Sequence, residues 1–155
     1  MPISTRATQV LDSLHIPYRL FEHQQQPGSL EQAASERGQV VDQVIRSILF
    51  RSGKEEFFLV LIAGSKQISW RKLRAHLGVS RLSLASEEQV LRVTGCVVGT
   101  VSPIGLPQPI ALLTDTGVFE AEEISIGSGA RRVAIILKSV DLRLALGKFD
   151  FGQFC

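Results

Sequence analysis

Val44-Ile45-Arg46-Ser47-Ile48-Leu49-Phe50 is followed, across Ser52-Gly53-Lys54, by a second run from Glu56 to Ala63. In the first run Val44, Arg46, Ile48 and Phe50 share one face of an extended chain, and Ile45, Ser47 and Leu49 share the other, because strand side chains alternate. A glycine-containing polar turn between two such runs reads as a β-hairpin. With connections this short, much of the sheet is expected to be antiparallel.

Toward the N-terminus, Ser4 or Thr5 can cap a helix running to about Leu14, with Ala7, Val10, Leu11 and Leu14 as its apolar stripe. Pro17 stops it and an extended segment, Tyr18–His23, follows. Here His23 reads as a surface or hydrogen-bonded histidine. Ser29 with Gln32 makes a capping-box pattern for a helix through Arg37, ended by Gly38.

Beyond the hairpin, Ser69 can cap a basic helix closed by Gly78. Arg81–Leu84 suits a short strand, and Ser86 can cap a helix over 87–93. Strands are expected at Ile110–Leu113, within 118–126 and at Arg132–Leu137, with Asp115-Thr116-Gly117 and Gly127-Ser128-Gly129 as turns. Ser139 is a candidate cap for a last helix through Leu146. The tail Lys148–Cys155 has no clear period, and its phenylalanines fit packing on the body better than a self-association patch.

Gly99-Thr100-Val101-Ser102-Pro103-Ile104-Gly105 lies between two apolar runs and reads as a tight loop bounded by strands. Glycine, proline and serine leave main-chain N–H groups bare there, able to receive the carbonyl or oxyanion of a small acyl group. The plain alternative is a hairpin connection.

The 155 residues suit one domain, 1–155, and 45% hydrophobic content supplies a core. A net charge of +2 permits a nucleic-acid partner without requiring one. Cys96 and Cys155 form no Cys-x-x-Cys pair, and three scattered histidines add no metal-ligand spacing. No signal-peptide core begins the chain, and no apolar run reaches the ~18 residues of a membrane span, so a cytoplasmic setting is expected. Gly-x-Ser-x-Gly, P-loop and Gly-x-Gly-x-x-Gly signatures are all missing. The sequence therefore offers no recognisable side-chain nucleophile.

Several segments, in order, resemble the YbaK/ProX family of domains that hydrolyse misacylated tRNA. They are Tyr18–His23, Glu31–Ala34, Val44–Phe50, Lys72-Leu73 with Leu77-Gly78, Thr94-Gly95 leading into Gly99–Gly105, and Ile126–Gly129. The resemblance spans about residues 5–147. It implies a mixed, barrel-like sheet flanked by helices, and a pocket roofed by the 99–103 loop. Water would attack the ester, helped by the tRNA's ribose hydroxyl and by backbone donors, with no metal or organic cofactor.

By that similarity Gly99 holds the acyl or carbonyl end, Ser102 and Pro103 shape the loop, and Ser128 and Gly129 line the opposite wall. Ser47, Thr100 and Gly127 join them as substrate-binding residues. Arg46 stands where the family has a lysine that anchors the terminal phosphate or orients the substrate. Arginine keeps the charge but is longer and planar. The implied function is a trans-acting deacylase of mischarged tRNA. The alternative is a non-catalytic relative that binds tRNA ends or an aminoacyl-tRNA synthetase. Lys66, Arg71, Lys72 and Arg74 cluster around one helix; they are either a solvated face or contacts for the tRNA backbone.

Overall fold

The computed structural model describes residues 3–53 and 55–155. The hairpin forms as expected. Strands β1 (Arg19–Glu22), β2 (Ile45–Ser52) and β3 (Glu56–Ala63) come first, and β2 pairs antiparallel with β3 from Ile45↔Ala63 to Ser52↔Glu56. The turn residue Lys54 lies outside the described residues.

Around the hairpin run β4 (Ser83–Leu84), β5 (Ala111–Asp115), β6 (Glu123–Gly127), β7 (Val133–Lys138) and β8 (Asp150–Gly152). One sheet has the order β4-β2-β3-β5-β8 and the other β1-β7-β6. Pairs β3/β5 and β5/β8 are parallel and the rest antiparallel. A lone parallel bridge, Val44↔Ser125, joins the two sheets. The sheet is thus mixed and largely antiparallel, but it is two sheets in contact rather than a closed barrel.

β3 explains why the larger sheet is covered on both faces. Its alternate residues Leu59 and Leu61 enter a core shared with Leu49, Ile124, Ile126, Ile135 and Leu137. Val60 and Ile62 enter a second core with Phe50, Leu73, Leu113 and Phe154. A strand buried on both faces must be apolar at successive positions, as Phe57–Ala63 is. Truncating such a leucine to alanine costs about 2–5 kcal/mol.

Among the described residues five α-helices pack around the sheets: α1 (Arg6–Ser13), α2 (Leu30–Glu36), α3 (Trp70–Leu77), α4 (Glu87–Thr94) and α5 (Ser139–Leu146). Thr5, Ser29, Ser69 and Ser86 cap the first four through side-chain oxygens. At α2 the capping box is half made, since Gln32 Oε1 accepts from Gly28 N–H instead of Ser29 N–H. Ser139 is not a cap. It is the first helical residue, and its N–H is held by the Glu122 carbonyl at 2.8 Å.

The Gly99–Gly105 segment is not bounded by strands. It lies between α4 and β5 in an irregular stretch. Pro103, Pro107 and Pro109 remove the N–H donors that ladder pairing would need. The tail, which has no period of its own, pairs through β8 with β5 and buries Phe154 to 1% exposure. His76 contacts Asp150 Oδ2 at 2.9 Å and stacks edge-on against Phe154. Among the described residues no helix is long and apolar enough to cross a membrane.

Candidate active site

A cavity of about 360 Å³ opens where α2, the start of β2, the 99–101 loop and the β6–β7 turn converge. The elements that build it are stitched together through main chain. Gly129 N–H donates to the Thr100 carbonyl at 2.8 Å. Gly127 lies against the same loop, where a Cβ would overlap the carbonyl oxygen of Val101 and sit 2.9 Å from that of Thr100. Glycine at 127 therefore lets the two glycine-bearing turns touch.

Thr100 N–H and its hydroxyl both donate to the Val97 carbonyl. Gly99 adopts φ +90°, and nothing lies within 4 Å of where its Cβ would be. Among the described residues, no acceptor meets the N–H of Gly99 or of Val101. Both residues line the cavity. The Thr100–Val101 peptide turns its carbonyl to Gly129, so its N–H faces the other way, since the peptide is trans.

Arg46 and Ser47 reach the cavity from β2. The Arg46 guanidinium donates through Nε to the Gly64 carbonyl at 2.8 Å, and through Nη2 to the Lys66 carbonyl. Neither acceptor residue lines the cavity. Burial pulls Arg46 below its usual value, while the Cys155 thiol opposes that shift. Ser47 Oγ is buried with no hydrogen-bond partner, a costly state for a hydroxyl unless a ligand completes it.

A polar network forms the floor. His23 is 2% exposed. Its Nε2 lies 3.0 Å from Arg37 Nε and its Nδ1 2.6 Å from Glu36 Oε1. The arginine can only donate, so Nε2 accepts and Nδ1 carries the proton toward Glu36. Arg37 Nη1 donates to Ser125 Oγ at 3.0 Å, and Ser125 in turn donates to Gln39 Oε1 at 2.8 Å. The His23 bond, aided by Gln32, holds the Glu36 carboxyl below the ordinary range. Burial lowers Arg37, and Glu36 partly offsets that. Arg132 stands exposed at the rim and donates to the Gln24 carbonyl at 2.7 Å. Among the described residues, three arginines and no carboxylate line the cavity.

The structure thus gathers Arg46, Ser47, Gly99 and Gly127 of the expected site. Thr100 instead lines a shallow neighbouring groove with Gly99. Ser102, Ser128 and Gly129 line a small separate pocket against α1. Their hydroxyls are engaged locally: Ser102 Oγ accepts from Ile104 N–H, and Ser128 Oγ donates to the Val133 carbonyl at 2.7 Å. Pro103 is buried and lines none of these pockets. Lys66, Arg71 and Lys72 are exposed on and before α3, outside the cavity, with Arg74 half-buried beside them. Lys72 Nζ donates to the Cys155 carbonyl at 2.9 Å. Arg37 has no motif to mark it; its role arises from His23 and Ser125, 14 and 88 residues away. Among the described residues no group of three His, Cys, Asp or Glu side chains could hold a metal ion.

Comparison with known proteins places this site in context. Residues 25–144 match the aminoacyl-tRNA editing domain. The multifunctional Ser/Thr-tRNA deacylase ProXp-y of Escherichia coli K12 is 30% identical over 133 residues, covering 83% of this chain and 79% of that protein. The proline–tRNA ligase of Brachyspira hyodysenteriae is 37% identical over 83 residues, which is 54% of this chain but 14% of that enzyme. A solved structure of a proposed trans-editing enzyme for prolyl tRNA synthetase superposes with a TM-score of 0.83 over 99% of this chain and 98% of its own, at 24% identity.

Proposed function

The chain belongs to the aminoacyl-tRNA editing domain family, and from that premise we propose that it is a trans-acting deacylase of mischarged tRNA. The observation that best supports this is the pair of unpartnered main-chain donors, Gly99 N–H and Val101 N–H, at one cavity. They would receive the developing oxyanion as water adds to the ester carbonyl. The ester C–O bond then breaks, and the departing ribose oxygen takes up a proton. Preorganised donors of this kind act where water is excluded and need no nucleophilic side chain.

The arginine-lined, carboxylate-free wall favours the anionic 3′ end of tRNA. Arg46 would orient that end at the cavity border. Lys66, Arg71 and Arg74 would meet the acceptor-stem backbone, and Lys72 would join them by leaving the Cys155 carbonyl. The domain would span 1–155, because Ala7 and Leu11 before the matched region enter the first core and Phe154 after it enters the second. Occurrence of similar sequence within proline–tRNA ligases supports work alongside a synthetase.

The test is loss of the aminoacyl ester from a panel of mischarged tRNAs incubated with purified protein. Turnover of at least one is expected, and none across the panel by folded protein overturns the reading. One observation favours a second reading, a module that binds tRNA ends without hydrolysis: both Arg46 hydrogen bonds go to carbonyls outside the cavity. Under that reading the panel shows binding and no turnover, and Arg46→Lys creates or strongly raises it.

A further inference from the structure

We propose that the groove between α5 and β8 docks an extended segment of a partner protein, one that carries an apolar side chain and a carboxylate on the same face of an added strand. The groove holds about 650 Å³ and is walled by Val140 and Leu144 of α5 and by Phe149 and Phe151 of the tail. Val140 and Leu144 are each 68% exposed and lie one helical turn apart, and Phe151 is 46% exposed. The groove shares no described residue with the arginine-lined cavity, so the proposal stands apart from the deacylase reading.

The main charge in the groove is held in place before any partner arrives. The Arg143 guanidinium carbon sits 5.1, 5.6 and 5.3 Å from the ring centroids of Phe119, Phe149 and Phe151, within the ~6 Å reach of a cation–π contact. Three rings orient the guanidinium, yet among the described residues no carboxylate pairs with it. Lys148 is the second cation of the groove, and among the described residues no acid lines it. Asp150, two residues after Lys148, belongs to the opposite face of β8, where its Oδ2 meets His76 at 2.9 Å. An oriented, unpaired guanidinium beside exposed apolar side chains is complementary to a carboxylate on an apolar segment.

Strand β8 decides the form of that segment. It ends the larger sheet and, among the described residues, pairs only with β5, so its other edge is a template for one more strand. Residues i and i+2 of an added strand share a face. One of them would meet Leu144 and Phe151, and the other Arg143. A second copy of this chain suits the groove less well. A two-fold interface sets each patch on itself, which here brings Arg143 and Lys148 against their own images. Anionic membranes attract larger basic clusters, whereas this is a concave site with two cations.

The test selects linear decapeptides from a random phage-displayed library on the folded full chain, with Leu144→Asp as the depleting bait. Leu144 is exposed, so that variant keeps its fold, which circular dichroism checks. Enriched peptides should carry an apolar residue and an Asp or Glu two positions apart. A fluorescein-labelled synthetic copy, followed by anisotropy, should bind Arg143→Glu about 10-fold to 100-fold more weakly, the range for a hydrogen bond to a charged group. Replacing the peptide's acidic residue with arginine should restore binding to that variant, a rescue that a misfolded protein would not give. N-methylation of the amides on one edge of the peptide should abolish binding, and on the other edge should be tolerated. No enrichment over the Leu144→Asp bait overturns the proposal, as does enrichment of peptides without acids. So does an affinity that Arg143→Glu leaves unchanged, or tolerance of N-methylation on both edges. A dimer in sedimentation that Leu144→Asp dissolves would assign the groove to a second copy. Binding to phosphatidylserine vesicles that Leu144→Asp abolishes would assign it to a membrane. Either result overturns the proposal.

Discussion

Gly127→Ala should disable the site without touching any polar side chain. Gly127 pairs with Ala134 in the sheet, and its missing Cβ is the space into which the 99–101 loop fits. An added methyl would sit 2.9 Å from both the Thr100 carbonyl oxygen and the Val101 carbonyl carbon. The Val101 carbonyl oxygen would overlap it outright, and ordinary contacts need about 3.5 Å, so the loop must retreat by roughly 1 Å or more. Retreat weakens the bond between Gly129 N–H and the Thr100 carbonyl, now 2.8 Å, and moves the Gly99 and Val101 donors with it. Overpacking of this kind costs about 1–3 kcal/mol of stability. A misplacement near 1 Å costs about 10²-fold in rate. The assay is single-turnover deacylation of whichever tRNA the panel identifies, with urea denaturation in parallel and all rates taken well below the unfolding midpoint. Gly53→Ala is the control. Gly53 has φ +67° with open space around it, sits in the hairpin turn and does not line the cavity, so alanine there costs about 1–2 kcal/mol with no effect on the site. The expected result is a rate near one-hundredth of wild type for Gly127→Ala and an unchanged rate for Gly53→Ala. A folded Gly127→Ala protein within about threefold of wild type would refute the role of the loop's main chain.

Two further outcomes are expected. Ser47→Ala removes a buried hydroxyl that has no partner, so stability should hold or rise by about 1 kcal/mol while KM for aminoacyl-tRNA increases; urea denaturation with steady-state kinetics checks both, and a destabilised variant with unchanged KM contradicts it. Glu36 is held below the ordinary carboxylate range by His23, so its contribution is fully present above that range and is lost as pH falls through its lower folded value. The Tm advantage of wild type over Glu36→Gln should therefore shrink on acidification below the ordinary glutamate range, and a gap that stays constant from neutral pH into that acid range contradicts the assignment.

The fold was legible where local chemistry suffices. Alternation over Val44–Phe50 and the Ser52–Lys54 turn placed the hairpin, and Ser29, Ser69 and Ser86 marked three helix starts through the hydroxyls that do cap them, while the first start was narrowed to Ser4 or Thr5, of which Thr5 is the cap. Ser139 misled because a serine at a helix start is recognised by type, whereas its capping depends on a backbone angle that the preceding residue took instead. Strand β8 was hidden because its partner, β5, lies about 37 residues away (Asp150 opposite Leu113) and the tail carries no alternation of its own.

The amino-acid sequence by itself determined the backbone of the candidate site: glycines at 99 and 127 and a proline-rich stretch that cannot pair as a strand, properties carried by the residues themselves. Tertiary structure alone decided which groups that backbone faces. Only folding buries His23 and Ser125 and sets Arg37 beside them, so that Arg37 Nε and Nη1 are held by residues far along the chain. Only folding turns Arg46 onto the Gly64 and Lys66 carbonyls. A side chain's hydrogen-bonding capacity is local, but which of its donors remain unmatched depends on residues that are brought to it from far along the chain.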